Sequence, residues 1–516
     1  MGGCVIGVDA GGTMTKAALF DLEGHELACA RSRNVTSFPH AGWTERDPDA
    51  MWRAAAEAIR EVVERSGTDP GDVLAIGVSG YGSGLYLLDE AGDPVRPGIV
   101  SPDVRTAVML EGWARDGRAA KVAPMIQQFP WPGMSLPLMA WLQEHEPEVV
   151  ERAAQVSFCK DFLRQRLCGD RSTDYTDAGS AGLLDVRSGT YSEAALALFG
   201  MEAWLGKLPA IGAADEVVGG VSEAAAALVG LRAGTPVVRG AVDMAASAMA
   251  SHVTRAEHMS VVAGTFSIAA TLHSDAPKLD TIPMLQFAYP LGGFLSVNAS
   301  ATSASNLEWV VKTMLQHGGT PPAGADVYEV VNAAVGRATG RHTDAMFYPY
   351  LFGGPAGAPA GLVGMGASTS FDEVMAAVFE GIVFAHKADV DRALSGPDAA
   401  RPTTIRLTGG ASQSEVWSGM FADILGLPVE VPAGSEFGAL GTAMCAAAGA
   451  GAYGSLAEAV DAMSGIARRH EVDAARGAVH LAKYPRYCAV RDAMAGAMLE
   501  TAAPPAAARR AEPAHA

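Results

Sequence analysis

A stretch near the N-terminus, Gly7-Val-Asp9-Ala-Gly11-Gly12-Thr13-Met-Thr15-Lys16, combines a carboxylate, paired glycines, two hydroxyls and an ammonium. Glycines at a turn let backbone N–H groups converge on a phosphate, because no Cβ blocks the approach. Thr13 and Thr15 add hydroxyl donors and Lys16 adds a charge. Asp9 stands at a strand end, where it could orient water around a Mg²⁺ ion. The pattern GxxxxGK[ST] is absent, so this is a phosphate-type hairpin and not a P-loop. A second carboxylate, Asp243, follows a strand-like run at 236–240 and opens a helix over 244–252. As an N-cap it would contribute about 1 kcal/mol. The helix N-terminus should also keep it ionised at neutral pH. An ionised Asp can accept the proton of a hydroxyl that attacks a γ-phosphate.

The elements that position these groups follow from the patterning. Short apolar runs at 4–9 and 15–21 flank the glycine turn, and a further extended run spans 26–31. Asp47-Pro-Asp starts a helix, with apolar residues at helical spacing through Val63. The run 73–79 reads as a buried strand that breaks at Gly80-Tyr-Gly-Ser-Gly84, and 85–89 as another. Strands are also expected at 259–263, before Gly264-Thr265, and at 404–408, before Gly409-Gly410. The Ala/Gly-rich segment 439–450 reads as a helix that packs close to another backbone. Strands alternating with helices indicate an α/β architecture. The halves echo each other, since each opens a phosphate-type loop after a strand. This suggests domains at 1–253 and 254–490, with 491–516 as a helix end and a disordered Pro/Ala-rich tail.

The hairpin resembles the first phosphate motif of the actin-like ATPase superfamily. Other motifs narrow the resemblance. They are Gly42-Trp-Thr-Glu-Arg-Asp-Pro-Asp, Lys160-Asp-Phe-Leu-Arg with Thr173-Asp174, Gly234-Thr-Pro-Val with Gly240-Ala-Val-Asp243, Thr408-Gly-Gly-Ala-Ser with Trp417, and Glu436 with Ala439-Leu-Gly-Thr-Ala. Together, from residue 5 to about 490, they resemble the FGGY carbohydrate kinases. The resemblance implies a two-domain actin-like (ribonuclease H-like) fold with ATP and sugar in the interdomain cleft. It makes Asp243 the catalytic base. It assigns Gly264 and Thr265 to a second phosphate motif, brings Gly409, Gly410 and Ala411 to the ATP phosphates, and sets Ser414 toward adenine. Phe266 and Thr408 depart from the family's usual residues.

Acceptor choice is expected from Tyr81, Ser83, Ser101, Asp103 and Arg105, because polyol recognition needs donors and acceptors at fixed positions. Tyr81, an aromatic among glycines, reads as a ring for a polyol to stack on rather than as core. Arg105 could equally be half of a structural ion pair. The loop lacks the Met-His pair usual in D-xylulose kinases and the Arg-Glu pair usual in glycerol kinases. Overall the pattern resembles the L-xylulose kinase branch, on Gly-Leu-Tyr-Leu-Leu-Asp at 84–89, Trp141-Leu-Gln-Glu-His-Glu-Pro-Glu, the run 300–309 and the run 347–354, and erythritol-type kinases share the Gly-rich loop. His386, on a mostly apolar helix, reads as a satisfied core histidine.

Composition bounds the alternatives. With 38 Lys and Arg against 57 Asp and Glu, the net charge is −19, which argues against a nucleic-acid partner held by phosphate neutralisation. A content of 49% hydrophobic and 18% charged residues over 516 positions excludes a disordered chain. No apolar run approaches the roughly 20 residues that span a bilayer. The N-terminus lacks a signal peptide's basic region, and the six cysteines form no CxxC pair, so a reducing cytoplasm is the expected setting. A homodimer using ATP and Mg²⁺ on a small sugar or polyol is expected. A chaperone-like nucleotide switch would need a peptide-binding domain, and the residues after about 450 are too few for one. An inactive sensor would have lost Asp9 or Asp243, and both are present.

Overall fold

Two sheets are built on the same connection. The computed structural model describes residues 3–264, 266–276, 285–316, 326–395 and 400–501. Its first sheet contains β1 (Cys4–Ala10), β2 (Met14–Asp21), β3 (Glu26–Arg33), β4 (Val73–Gly80), β5 (Val217–Gly220) and β6 (Pro236–Val238), in the order β5-β6-β4-β1-β2-β3. β1, β2 and β3 form an antiparallel meander, and β4 runs parallel to β1. The second sheet contains β7 (His258–Ala263), β8 (Ser267–His273), β9 (Leu285–Ala288), β10 (Phe294–Ser300), β11 (Thr404–Gly409), β12 (Val429–Pro432) and β13 (Ile466–His470), in the order β9-β10-β8-β7-β11-β12-β13. β7 is antiparallel to β8, β8 to β10, and β11 runs parallel to β7. The echo between the halves is therefore structural: a hairpin, a third antiparallel strand and a parallel neighbour to the first strand recur.

The helices that matter for the site are α1 (Pro48–Ser66), α2 (Cys159–Cys168), α3 (Tyr175–Ser180), α4 (Asp243–Ala250), α5 (Ala304–Val310), α6 (Val327–Ala338), α7 (Phe371–Ala393), α8 (Glu415–Leu425), α9 (Phe437–Gly449) and α10 (Ala474–Thr501). α1 starts as its sequence dictates. Asp47 accepts from the N–H groups of Asp49 and Ala50, Pro48 fills the first turn, and left-handed Gly67 ends it.

α4 and α9 lie between the sheets. One continuous core joins Val5, Phe20 and Ala75 of the first sheet, Ala245, Met249, Ala439 and Ala443 of these helices, and Leu285, Phe287 and Val297 of the second sheet. The glycines of this seam are required by close approach. A Cβ on Gly7 would sit 1.8 Å from the Ala439 carbonyl oxygen, and one on Gly441 would sit 1.9 Å from that of Ala246. The expected division at 253/254 falls between α4 and β7, but α9 returns from the C-terminal half to pack on β1. α10 continues past residue 491 to Thr501, and the rest of the expected tail lies outside the described residues. All six cysteines are free. Among the described residues no helix is long and apolar enough to cross a membrane.

Candidate active site

The β1–β2 turn is fixed from below. Asn34 donates to the Gly11 carbonyl at 2.8 Å, and buried Arg46 donates to the carbonyls of Gly11, at 3.4 Å, and Gly12. Gly12 and Thr13 are exposed at the tip, where backbone and hydroxyl can meet a ligand. Thr15 corrects the expectation that it points there too. It is fully buried and its hydroxyl donates to Asn34 Oδ1 at 2.9 Å, because alternation along β2 turns it inward. Lys16 pairs with Glu436 at 2.8 Å, and Arg31 shares the same carboxylate. Burial works to raise Glu436, and its two cations outweigh it.

Asp9 accepts from the Ser79 hydroxyl at 3.2 Å and lies against Gly438, where a Cβ would come within 2.6 Å of the carboxylate. Burial pushes Asp9 above the usual carboxylate range, against the pull of Lys16. Asp243 differs in two ways from its sequence reading. It is the first residue of α4, after Val242 at the cap, and its Oδ1 accepts from the Met244 N–H at 2.7 Å. Burial, and next the charge of Asp9, push it up to about 8, so the helix N-terminus does not win. The two carboxylates therefore sense each other.

The segment before Asp243 is held by a buried charge cluster. Lys160 Nζ lies 2.6 Å from Asp161, 2.9 Å from Asp174 and 3.5 Å from Asp177. Arg164 donates to Asp161 and to the Arg239 carbonyl, each at 2.7 Å. The Thr176 hydroxyl donates to Asp174 at 2.6 Å and accepts from the Val242 N–H at 2.8 Å. Burying these ions pays only if every partner is present. Composition pointed to none of this placement, although the motif residues were visible.

The acceptor candidates are largely corrected. Tyr81 is core: it is 6% exposed, its hydroxyl lies 2.6 Å from that of Tyr86, and its ring packs with buried aliphatic and aromatic neighbours. Ser83 is buried and donates to the Ser180 carbonyl at 2.8 Å. Asp103 and Arg105 form the structural pair that was the alternative for Arg105. Asp103 also accepts from the Thr44 N–H at 2.6 Å, and Arg105 reaches Glu45 at 2.8 Å and lies over the Trp43 ring. Arg105 also borders a groove of about 610 Å³ with Trp113 and Phe199, and neither Asp9 nor Asp243 lines it. Ser101 remains half-buried, its carbonyl against Gly133.

The loop itself does adjoin Asp243. A Cβ on Gly82 would lie 2.7 Å from Val242 and 2.8 Å from Ser180 Oγ. Sequence reasoning missed two groups on that wall. Gln128 donates to the Gly179 carbonyl at 2.5 Å and keeps its Oε1 unpaired. Trp131, next to Gly133, keeps its indole N–H unpaired.

A cavity of about 600 Å³ lies in the second half. It is lined by Gly264 and Gly410 at one end, and by Asn332, Tyr328, Phe379, Trp417, Glu308 and Glu329 among others. Gly409 ends β11 with φ +84°, and the Ala411 side chain is buried, so Gly410 is the loop residue that borders the space. Ser414 lines the cavity, and its hydroxyl donates to Asn332 Oδ1 at 2.7 Å and accepts from the Trp417 N–H at 3.1 Å, which leaves it one acceptor position and no hydrogen to give. Asn332, absent from the sequence reading, is thereby oriented with its amide N–H₂ available. Thr265 lies outside the described residues.

Residues 4–250 match the N-terminal domain and residues 259–450 the C-terminal domain of the FGGY family of carbohydrate kinases. A probable L-xylulose kinase of Pasteurella multocida is 32% identical over 93% of this chain and 97% of its own. The chain belongs to the FGGY family of carbohydrate kinases. An L-xylulose/3-keto-L-gulonate kinase of Escherichia coli K12 is 31% identical over 93% of this chain and 95% of its own. The crystal structure of a xylulose kinase from Rhodospirillum rubrum superposes with a TM-score of 0.82 at 26% identity, covering 96% of this chain and all of that one. This FGGY kinase is thus an ATP-dependent phosphotransferase acting on an alcohol group of a sugar, on the two-domain fold of that family.

Proposed function

We propose that this FGGY kinase phosphorylates an uncharged ketopentose of the L-xylulose type, with Asp243 as the catalytic base. The observation that carries the reading is the buried Asp243 at the start of α4, which burial, and next the charge of Asp9, push up to about 8. A carboxyl poised near neutrality is matched to proton abstraction. Oδ1 is occupied by Met244, so Oδ2 takes the acceptor's proton as the acceptor oxygen bonds to the γ-phosphorus. The bond to the bridging oxygen breaks in line, and ADP leaves with its electrons.

The nucleotide fits the 600 Å³ cavity. Leu307, Phe379 and Trp417 offer an apolar slot for adenine, and the Asn332 amide can donate to a ring nitrogen. Glu308 and Glu329 can accept from ribose hydroxyls, while Gly264 and Gly410 leave backbone open to phosphate oxygens. Asp9 suits a hydrated Mg²⁺: it is a single carboxylate seated on Gly438, and among the described residues no cluster of three or more ligating side chains exists. Mg²⁺ keeps several waters and takes one or two carboxylates plus phosphates, and when bound it offsets triphosphate charge.

On the acceptor side, Gln128 and Trp131 are uncharged, and Arg46 and Arg105 already donate to carbonyls and carboxylates through other nitrogens than the unpaired Arg46 Nε and Arg105 Nη1. That chemistry favours a neutral ketose over a sugar acid; the name of the Pasteurella multocida relative agrees, while that of the Escherichia coli relative includes the sugar acid 3-keto-L-gulonate. The test is Asp243→Asn in an ADP-release assay with L-xylulose. We expect turnover to fall by at least ~10², the scale of a lost general base, with ATP affinity retained. Turnover near that of the unaltered enzyme would refute the assignment.

A further inference from the structure

His386 on α7 is not needed by the chemistry above, yet it joins two segments that border the nucleotide cavity. Ser267 opens β8, three residues after Gly264, and its Oγ lies 2.9 Å from His386 Nδ1. Ser303 precedes α5, and its Oγ lies 2.9 Å from His386 Nε2. Gly264 and Ala304, the neighbours of these serines in the two segments, both line the cavity, and the Ala304 N–H donates to the Gly264 carbonyl at 2.9 Å.

We infer that His386 is a positioning residue that clamps the start of β8, and with it Gly264, to the start of α5 and so sets the Gly264 side of the nucleotide cavity. This rests on reading that cavity as the nucleotide site.

The direction of every bond follows from proton counting. The Ser267 hydroxyl donates its one hydrogen to Asp389 Oδ2 at 3.1 Å, so it accepts from His386 Nδ1–H. Nε2 is then the lone-pair side and accepts from Ser303. Ser300, at the end of β10, donates to the same Asp389 oxygen at 2.7 Å. Burial pushes His386 down to about 3, which keeps the ring neutral with one donor and one acceptor, as the chain requires. Ser303 supplies the independent sign. It occupies the N-cap of α5, where a serine hydroxyl ordinarily bonds the first turn, yet it makes no cap bond. Its hydroxyl is spent on His386 instead. The imidazole is fully buried and packs edge-to-face with Phe421 at 5.0 Å.

Three single variants, His386→Leu, Ser303→Ala and Gly410→Val, and the His386→Leu/Ser303→Ala double variant test this. The readouts are ATP affinity by titration calorimetry, separate KM values for ATP and acceptor, and Tm. We expect His386→Leu to weaken ATP by about 5- to 10-fold, the scale of a lost buried hydrogen bond, with the acceptor KM within about twofold. Ser303→Ala should act in the same direction, and the double variant should be no worse than His386→Leu alone. If His386→Leu does not fold, Ser303→Ala carries the test with its hydroxyl deleted in place. A folded variant with unchanged ATP affinity, or with both KM values raised in parallel, overturns the clamp. Gly410→Val separates the two readings. If it weakens ATP while His386→Leu does not, only the clamp fails. If Gly410→Val leaves ATP binding untouched, the nucleotide assignment fails and the clamp with it.

Discussion

At the scale of single residues, the enzyme keeps a carboxylate where the fold would rather have none. Asp243 is held near 8 by burial and by Asp9, so folding favours its protonated form. For a carboxyl raised in this way, stability is lost as pH rises from its ordinary value toward the folded one. Asparagine does not titrate. Asp243→Asn should therefore melt with the unaltered protein at about pH 4, gain on it steadily up to about pH 8, and stay level above that. A Tm advantage that shrinks with pH would show that Asp243 is stabilised as an anion. Tyr81 makes the opposite point. Its hydroxyl pairs with Tyr86 inside the core, so Tyr81→Phe should cost about 1 kcal/mol of stability and leave the acceptor KM unchanged. Urea unfolding beside steady-state kinetics measures both, and a raised acceptor KM with unchanged stability would return Tyr81 to the sugar. Whether a ring among glycines is core or contact depends on what stands opposite. Here that is Tyr86 five residues on and α2 beyond, whose Phe162 stacks on Tyr86, and glycine neighbours in sequence say nothing of it.

At the scale of elements, the local signals were read well because they are local. The Asp47 cap, the β1–β2 hairpin and the strand that runs into Gly409 need only neighbouring residues to declare themselves. The nucleotide cavity was half legible. Gly264 and Gly410 stand in recognisable turns, but Asn332 and Phe379 reach the space from α6 and α7, far away in the chain. Ser414 lines the cavity too, but the partner of its hydroxyl, Asn332, is 82 residues distant and invisible to local patterning. The same holds for α3, whose Thr176 accepts from the backbone just before Asp243. Thr176→Val keeps the shape and deletes that acceptor. A buried N–H left without a partner costs about 1–3 kcal/mol. We expect that loss in urea unfolding, together with a fall in kcat larger than any change in the KM for ATP. A stability loss with unchanged kcat would mean that α3 supports the fold and not the base.

At the scale of the whole molecule, duplication of one sheet plan explains why the chemistry needs both halves. Each half offers a turn at the end of its central strand, β1 in one and β7 in the other, and α4 and α9 fill the seam between them. On the proposed reading the base lies in the first half and the cavity for the nucleotide in the second, so transfer requires the two together. A kinase of this plan must prefer a sugar hydroxyl over water. The most direct measurement is ADP release by the unaltered enzyme with Mg²⁺ and ATP, in the absence of sugar and with L-xylulose, D-xylulose, ribulose, 3-keto-L-gulonate, erythritol, xylitol and glycerol in turn. The account predicts slow release without acceptor, a many-fold rise with sugar, and the highest kcat/KM for L-xylulose. Release that is indifferent to every acceptor, or that is fastest with 3-keto-L-gulonate or glycerol, would contradict it.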